Sequence, residues 1–180
     1  MSRYTANIRR AKDKDDIFPT PEWVTEVLMS HVKFVGMIHE PACGYGHMAK
    51  VIGKYNECYA SDKNDLGYGQ VRDFLENPPK AMSNCVTNPP YSHVKEFIDT
   101  ALSNTTGKVA MLCRIEFLSA QSRQEWFNKF PPAEILILGR RLKCWNKKTQ
   151  DFSGATSAFS HIWIVWDCSR KVKQTVVRWI

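Results

Sequence analysis

One segment of this 180-residue chain combines residue types that could hold a reacting group, Asn88-Pro-Pro-Tyr91. It ends a short apolar strand predicted over 84–88, and its two consecutive prolines keep the backbone extended without donating hydrogen bonds. Carbonyl oxygens are therefore left to face a ligand, between an amide side chain and an aromatic ring. Asn88, Pro89, Pro90 and Tyr91 are thus the candidate catalytic residues.

A second Asn-Pro-Pro segment, at residues 77–79, provides an internal comparison. It follows no apolar strand, and Lys80 stands where the other segment has its aromatic ring. We therefore interpret it as an ordinary loop. A turn that only reverses the chain commonly uses Gly or Asp rather than two prolines, so the Asn88 segment needs a different explanation.

The segment Glu40-Pro-Ala-Cys-Gly-Tyr-Gly46 lies between a predicted strand and a predicted helix. Its two glycines allow the backbone to approach a ligand, and the start of the helix presents free N–H groups. Ala49 occupies the position of the last glycine in the dinucleotide fingerprint, so the match to that fingerprint is incomplete. The acid before the turn would repel a pyrophosphate and attract a cation.

Two further acids stand at or just after predicted strands. Asp62 ends the second strand, where an acid commonly accepts hydrogen bonds from ribose hydroxyls. Asp73 is followed by Phe74, which together offer a carboxylate for an adenine amino group and a ring for its face. Taken alone, Asp62 is equally typical of a solvated loop acid or a helix N-cap, and Asp73 is more typical of a helix start.

The elements that must position these residues alternate between strands and helices. Apolar runs predict strands over 34–40, 57–62, 70–72, 84–88, 108–113, 133–138 and 161–166, and helices over 20–31, 47–55, 92–102 and 122–130. This alternation indicates an α/β fold with a mainly parallel sheet. The last two strands have no helix between them, which predicts an antiparallel strand at that side. Ligands of such sheets bind beyond the carboxyl ends of the strands, where the candidate residues stand.

Composition limits the classes of protein that remain. The chain is 43% hydrophobic and carries 25 Lys and Arg against 18 Asp and Glu, so one domain with a polyanionic partner is permitted. The six cysteines contain no CxxC pair, and we expect neither a zinc cluster nor any other metal site. No apolar stretch is long enough to span a membrane and the first residues lack a signal-peptide core, so we expect a cytoplasmic protein.

A basic loop at 140–160 is the candidate nucleic-acid contact. Its candidate residues are Arg140, Arg141, Lys143, Trp145, Lys147 and Lys148. The Arg and Lys side chains would contact phosphates, while Trp145 would stack on a base. The alternative interpretation is a solvated loop whose Trp145 packs back onto the sheet.

Together these motifs resemble the S-adenosylmethionine-dependent amino-group methyltransferases, in particular the DNA N6-adenine enzymes and most closely their small phage-type members. Glu40–Gly46 is similar to the first motif of that family and Asn88–Tyr91 to its catalytic motif, while Phe18-Pro-Thr-Pro21 looks like its cofactor-side motif. The less specific segment Arg114-Ile-Glu-Phe-Leu118 also resembles the phage members. The resemblance covers residues 15–167.

The resemblance implies a Rossmann-like class I methyltransferase fold, with a seven-stranded, mainly parallel sheet, one antiparallel strand and helices on both faces. The first 16 residues are polar and lack periodicity, which predicts a flexible basic arm at 1–16, followed by a single methyltransferase domain at 17–180. The resemblance also implies S-adenosylmethionine as the cofactor. The cofactor-binding residues that it implies are Thr20, Pro21, Glu40, Pro41, Ala42, Gly44, Gly46, Asp62, Asp73 and Phe74. Because no large target-recognition domain is evident, target choice would be loose or supplied by dimerisation.

The chemistry expected of Asn88-Pro-Pro-Tyr91 is direct methyl transfer to an exocyclic amine. The Asn88 side-chain oxygen and the Pro89 carbonyl would accept the two amino hydrogens, and Tyr91 would stack on a base flipped out of DNA. No covalent intermediate is needed. The same motif also serves RNA adenine and protein glutamine methyltransferases, and a noncatalytic binding module on this fold is a third interpretation.

Overall fold

The computed structural model describes residues 18–180, so the predicted basic arm at 1–16 lies outside the described residues. The helices are α1 (Glu22–His31), α2 (His47–Ile52), α3 (Val94–Asn104) and α4 (Gln124–Lys129). The strands are β1 (Ile38–Glu40), β2 (Cys58–Asp62), β3 (Gln70–Val71), β4 (Met82–Thr87), β5 (Thr105–Arg114), β6 (Glu134–Ile137), β7 (His161–Asp167) and β8 (Val176–Trp179). None of the helices within 18–180 is long and apolar enough to cross a membrane.

The eight strands form one sheet in the order β3-β2-β1-β4-β5-β7-β6-β8. Strands β1 to β5 pair in parallel, and β7 runs antiparallel to both of its neighbours, β5 and β6. The predicted Rossmann-like fold with a single reversed strand is therefore confirmed. Each predicted element is present, with ends shifted by at most four residues.

The helices cover both faces of the sheet because the central strands are apolar on both sides. Along β5, Ala110 and Leu112 belong to one core, while Val109 and Met111 belong to the other, as the two-residue period of a strand requires. The first core receives α1 and α2, and the second receives α3, with α4 packed at its border. The Trp163 indole on β7 donates a hydrogen bond to the Val24 carbonyl of α1 at 3.0 Å, which fixes α1 over the sheet.

The prediction of seven strands was wrong by one. The additional strand, β8, pairs in parallel with the outer side of β6, from Glu134 opposite Val176 to Ile137 opposite Trp179. All four residues of β8 are exposed. A strand on the solvent-facing edge of a sheet lacks the alternating burial that makes inner strands recognisable in a sequence, so this one was missed.

Candidate active site

The two main sequence motifs meet in one cleft at the carboxyl ends of β1, β2 and β4. The cleft encloses about 940 Å³ of space, part of it open to solvent. The predicted residues that line it are Thr20, Glu40, Pro41, Ala42, Gly44, Asp62, Asp73, Phe74, Asn88 and Pro90. The predicted residues that lie outside its lining are Pro21, Gly46, Pro89 and Tyr91. Phe18 and Asn64 line it without having been singled out as ligand-binding residues.

Asp62 holds the turn between β1 and α2 in place. Its Oδ2 accepts a hydrogen bond from the Gly44 amide at 3.0 Å, and its Oδ1 accepts one from the Asn64 amide at 2.9 Å. Gly44 and Gly46 have φ of 52° and 79°, in the left-handed region that favours glycine. The Oδ1 also accepts a bond from the Asn64 side-chain amide at 3.4 Å, so it is the Oδ2 that keeps a second lone pair for a ligand hydroxyl.

Gly46 also makes close contact with an aromatic ring, which predicts a large effect of substitution. A Cβ built at this position would lie 2.5 Å from Tyr68 ring atoms, whereas one at Gly67, with a similar φ of 77°, would meet nothing within 4 Å. We expect Gly46→Ala to lower the free energy of unfolding by about 1–3 kcal/mol more than Gly67→Ala, because only the former overpacks. Urea unfolding of both variants tests this, and equal losses would contradict it.

The carboxyl group of Glu40 lies at the floor of the cleft, and one of its oxygens lacks a hydrogen bond. The side chain is 2% exposed, and its Oε2 is buried with no hydrogen-bond partner among residues 18–180. Burial raises the pKa of Glu40 to about 8, against a hydrogen bond from the Ala49 backbone, and the Asp62 charge adds to the rise. A buried carboxyl group with one unpartnered oxygen favours the approach of a cation, which would stabilise its ionised form.

Asp73 and Phe74 form part of the cleft wall. Both also make structural contacts within the protein, which the resemblance does not imply. The Asp73 Oδ1 accepts hydrogen bonds from the Leu75 amide at 2.9 Å and the Glu76 amide at 3.3 Å, so it caps a turn. The Phe74 ring is 1% exposed and packs 5.3 Å from the Phe97 ring, centre to centre. Both residues still line the cleft.

The Asn88 side chain is oriented by the chain segment before α1. Its Nδ2 donates to the Phe18 carbonyl and to the Thr20 hydroxyl, both at 3.1 Å. The Phe18 carbonyl can only accept, so the amide nitrogen must face it and the oxygen must face the other way. That Oδ1 is buried with no partner among residues 18–180. The structure thus leaves one oriented acceptor at the tip of β4.

Tyr91 lies just beyond the cleft, at the start of the 3₁₀ turn Tyr91–His93 that precedes α3. Its hydroxyl lies 3.2 Å from the His161 Nε2, and its ring centre lies 4.8 Å from that of Phe18. Burial, with the nearby Arg114 charge, lowers the pKa of His161, which favours the neutral imidazole.

The Arg114 guanidinium carbon is 4.1 Å from the Tyr91 ring centre. Sequence reasoning gave Arg114 no role, although it ends an apolar strand as Asp62 does.

The basic loop contains a short antiparallel hairpin, with bridges between Lys143 and Thr156 and between Asn146 and Asp151. Trp145 packs its ring 4.8 Å from that of His47, the first residue of α2. Its ring also lies 4.9 Å from that of Phe152 in the same loop, so Trp145 packs on α2 and on the loop itself, and not on the sheet as the second interpretation expected.

The basic side chains of the loop divide between packed and exposed positions. The Arg140 guanidinium lies 5.0 Å from the Trp23 ring centre, and Arg141 donates to the Ala158 carbonyl at 3.5 Å. Lys143, Lys147 and Lys148 are exposed. No group of three or more His, Cys, Asp or Glu side chains within 18–180 is placed to hold a metal ion.

The chain was compared with known proteins. It matches no protein-family model and no curated protein. Among solved structures, it superposes on a candidate class I S-adenosylmethionine-dependent methyltransferase from Listeria monocytogenes with a TM-score of 0.62 and 12% identity, over 89% of this chain and 65% of that one.

Two further solved structures are similar. A modification subunit of a candidate type I restriction enzyme from Vibrio vulnificus gives a TM-score of 0.59 and 13% identity, over 94% of this chain and about half (48%) of that one. A dimethyladenosine transferase from Plasmodium falciparum gives 0.58 and 10% identity, over 83% of this chain and 61% of that one. At these identities the comparisons establish architecture, and the chain has the Rossmann-like fold of class I methyltransferases.

Proposed function

We propose that this protein transfers a methyl group from S-adenosylmethionine to the exocyclic N6 amine of adenine in DNA, by direct in-line transfer to a flipped base. The observation that carries the proposal is the buried, unpartnered Oδ1 of Asn88, which shares one cleft with the buried, unpartnered Oε2 of Glu40. The Asn88 oxygen can accept a hydrogen bond from an amine, and the Glu40 oxygen can stabilise a cation. Such unsatisfied groups are costly to bury unless a ligand completes them.

The cofactor would lie along the cleft with its charged methionine portion near Glu40. One of its ribose hydroxyls would reach the remaining lone pair of the Asp62 Oδ2, and its adenine would lie against Asp73 and Phe74. Thr20, which is 4% exposed and bonded to the Asn88 amide, would cover it. When bound, S-adenosylmethionine would supply an electrophilic methyl group attached to a positively charged sulfur.

The protein would activate the acceptor by orienting it. The lone pair of an adenine amine is delocalised into the ring, so the nitrogen is a poor nucleophile. The Asn88 oxygen and the Pro89 carbonyl would accept its two hydrogens and favour a tetrahedral nitrogen whose lone pair faces the methyl group. Tyr91 would stack on the flipped base, with its hydroxyl held at His161. Positioning and oriented dipoles would supply most of the rate enhancement.

The positive charge of the protein supports a nucleic acid as the acceptor. The chain has a formal charge of +7, and exposed lysines of the 140–160 loop stand on the hairpin that packs against α2. Two similar structures are named a modification subunit of a candidate type I restriction enzyme and a dimethyladenosine transferase, and the second name is consistent with an adenine acceptor. RNA adenine and protein glutamine are the competing acceptors.

The deciding experiment incubates the protein with tritiated methyl donor and, separately, DNA, RNA or bulk protein. We expect label in DNA, and hydrolysis of the product to release N6-methyladenine. Label in RNA or in protein alone would replace the proposed acceptor. No label in any of the three would favour a noncatalytic module.

The basic loop gives a separate prediction about binding. We expect the double variant Lys147→Ala/Lys148→Ala to weaken DNA binding and to reduce the slope of log affinity against log salt by about 1–2, because each phosphate contact releases counterions. Fluorescence anisotropy at several salt concentrations measures the slope. The control is Lys171→Ala, because Lys171 lies in the connection between β7 and β8. An unchanged slope in the double variant would remove the loop from the binding surface.

A further inference from the structure

The side chain of Arg114 is held in an unusual way beside the candidate catalytic motif. Arg114 is the last residue of β5 and pairs with His161, the first residue of β7, at the carboxyl edge of the sheet. Its guanidinium carbon lies 4.1 Å from the Tyr91 ring centre and 3.9 Å from the Phe159 ring centre. Two aromatic rings that are far apart in the sequence thus contact one cation.

Within residues 18–180 the positive charge of Arg114 has no acidic partner. No carboxylate of these residues lies within ion-pair distance of it, and its Nε is buried without a hydrogen-bond partner among them. Its cross-strand neighbour His161 has a lowered pKa, caused by burial and by the Arg114 charge, so the imidazole favours its neutral form. Contacts with ring faces stabilise a cation, but they satisfy none of its N–H groups.

Ring contacts of this kind decide which part of the guanidinium remains available. Aromatic rings interact with a guanidinium through its flat faces, whereas its five N–H groups lie in its plane. Because Tyr91 and Phe159 engage the cation and its Nε is buried, the edge formed by its two Nη groups is the part left to a ligand. A guanidinium edge pairs best with a planar or tetrahedral oxyanion, through two parallel hydrogen bonds.

We propose that Arg114 binds a backbone phosphate of the nucleic-acid strand that carries the target base, beside Tyr91. This inference rests on the proposed function for the position of the base, and it extends that function by assigning an anion site on the acceptor side. It also favours a nucleic acid over a glutamine side chain as acceptor, because a peptide amide brings no phosphate to this position.

The chain offers a matched control in Arg123. Its guanidinium lies 4.0 Å from the Phe117 ring centre, and it also donates to the Phe117 carbonyl at 3.1 Å. It therefore reproduces the stacked cation with a satisfied N–H group. Arg114→Ala and Arg123→Ala remove the same group from the two environments, and Arg114→Lys keeps the charge while removing the planar fork.

The first measurement is oligonucleotide binding by fluorescence anisotropy between low and high salt. We expect Arg114→Ala to weaken binding roughly tenfold and to reduce the salt slope by about 0.7–0.9, the value for one phosphate contact. Arg114→Lys should keep the slope and lose part of the affinity. Arg123→Ala should match the wild-type protein. An unchanged slope in Arg114→Ala, or tighter binding by it, would overturn the proposal.

The second measurement first locates the phosphate contact on the unaltered protein and then asks whether Arg114→Ala loses it. Oligonucleotides with a single adenine carry one uncharged methylphosphonate, moved stepwise along the strand. We expect one position next to the adenine at which wild-type affinity falls and Arg114→Ala affinity does not. A profile with no such position would overturn the assignment of Arg114. Because the readout is binding, a sensitive position without methyl transfer would contradict only the proposed function, and transfer without a sensitive position would contradict only this inference.

Discussion

Replacing Asn88 with alanine is expected to reduce methyl transfer by roughly 10²–10³-fold or more, the size of effect seen when an oriented polar group is removed from a reacting centre. The variant loses the buried Oδ1 that would accept an amino hydrogen. It also loses two hydrogen bonds to the segment before α1, through the Phe18 carbonyl and the Thr20 hydroxyl. Neither of these bonds would be made to the cofactor itself, so cofactor affinity should fall only a few-fold.

Single-turnover transfer of tritiated methyl groups measures the rate, and calorimetry with S-adenosylmethionine measures binding. The matched control is Asn77→Ala, because that asparagine also precedes two prolines but does not line the cleft. We expect the control to retain both activities. If Asn88→Ala kept full transfer, or lost cofactor binding as completely as transfer, the assignment of Asn88 as the acceptor-orienting group would be wrong.

Binding of S-adenosylmethionine is expected to release close to one proton at neutral pH. With a pKa of about 8, Glu40 is about 90% protonated at pH 7, and a cation brought to its buried carboxyl group favours the ionised form. Affinity should therefore rise between about pH 6 and pH 8. Calorimetry in buffers of different ionisation enthalpy counts the protons, and Glu40→Gln should abolish their release. Equal proton release by both proteins would show that another group titrates.

The same carboxyl group should also affect stability. The pKa of Glu40 is about 8 in the folded protein, against 4.5 for an unperturbed glutamate, so its contribution to stability is fully present below pH 4.5 and is lost as the pH rises through 8. Glu40→Gln stays neutral throughout. As the pH rises over this range, we expect the free energy of unfolding of Glu40→Gln to increase relative to that of the wild type, by on the order of a few kcal/mol. A constant difference in urea unfolding would contradict this.

Much of the fold could be predicted because apolar residues recur with the period of the element that they build. The strands on which the site depends are largely buried, and in β5 this appears as the continuous apolar run 109–113. The candidate residues stand where the strands end. In a parallel sheet such ends share one edge, so Asp62 and Asn88 were expected to lie near each other and both line the cleft.

The prediction failed where burial no longer leaves a periodic signal. The edge strand β8 has only exposed residues, and its pairing with β6 depends on a connection that passes Pro132, whose carbonyl accepts a hydrogen bond from the Thr175 hydroxyl at 2.7 Å. Trp145 shows the same limit. The sequence left open whether its ring would stack on a nucleic-acid base or pack back onto the sheet, and in the structure the ring packs on His47. Hydropathy does not reveal which partner a loop side chain meets.

The sequence by itself determined the layered α/β fold and the two motifs that flank its central strands, because these follow from local periodicity and turn chemistry. Only the tertiary structure decided which polar atoms remain unsatisfied. Asn88 is oriented by a segment 70 residues away, Tyr91 meets His161 across another 70, and Arg114 is held between rings from two other elements. Such pairings depend on strand order and loop course, so spacing along the chain does not encode them.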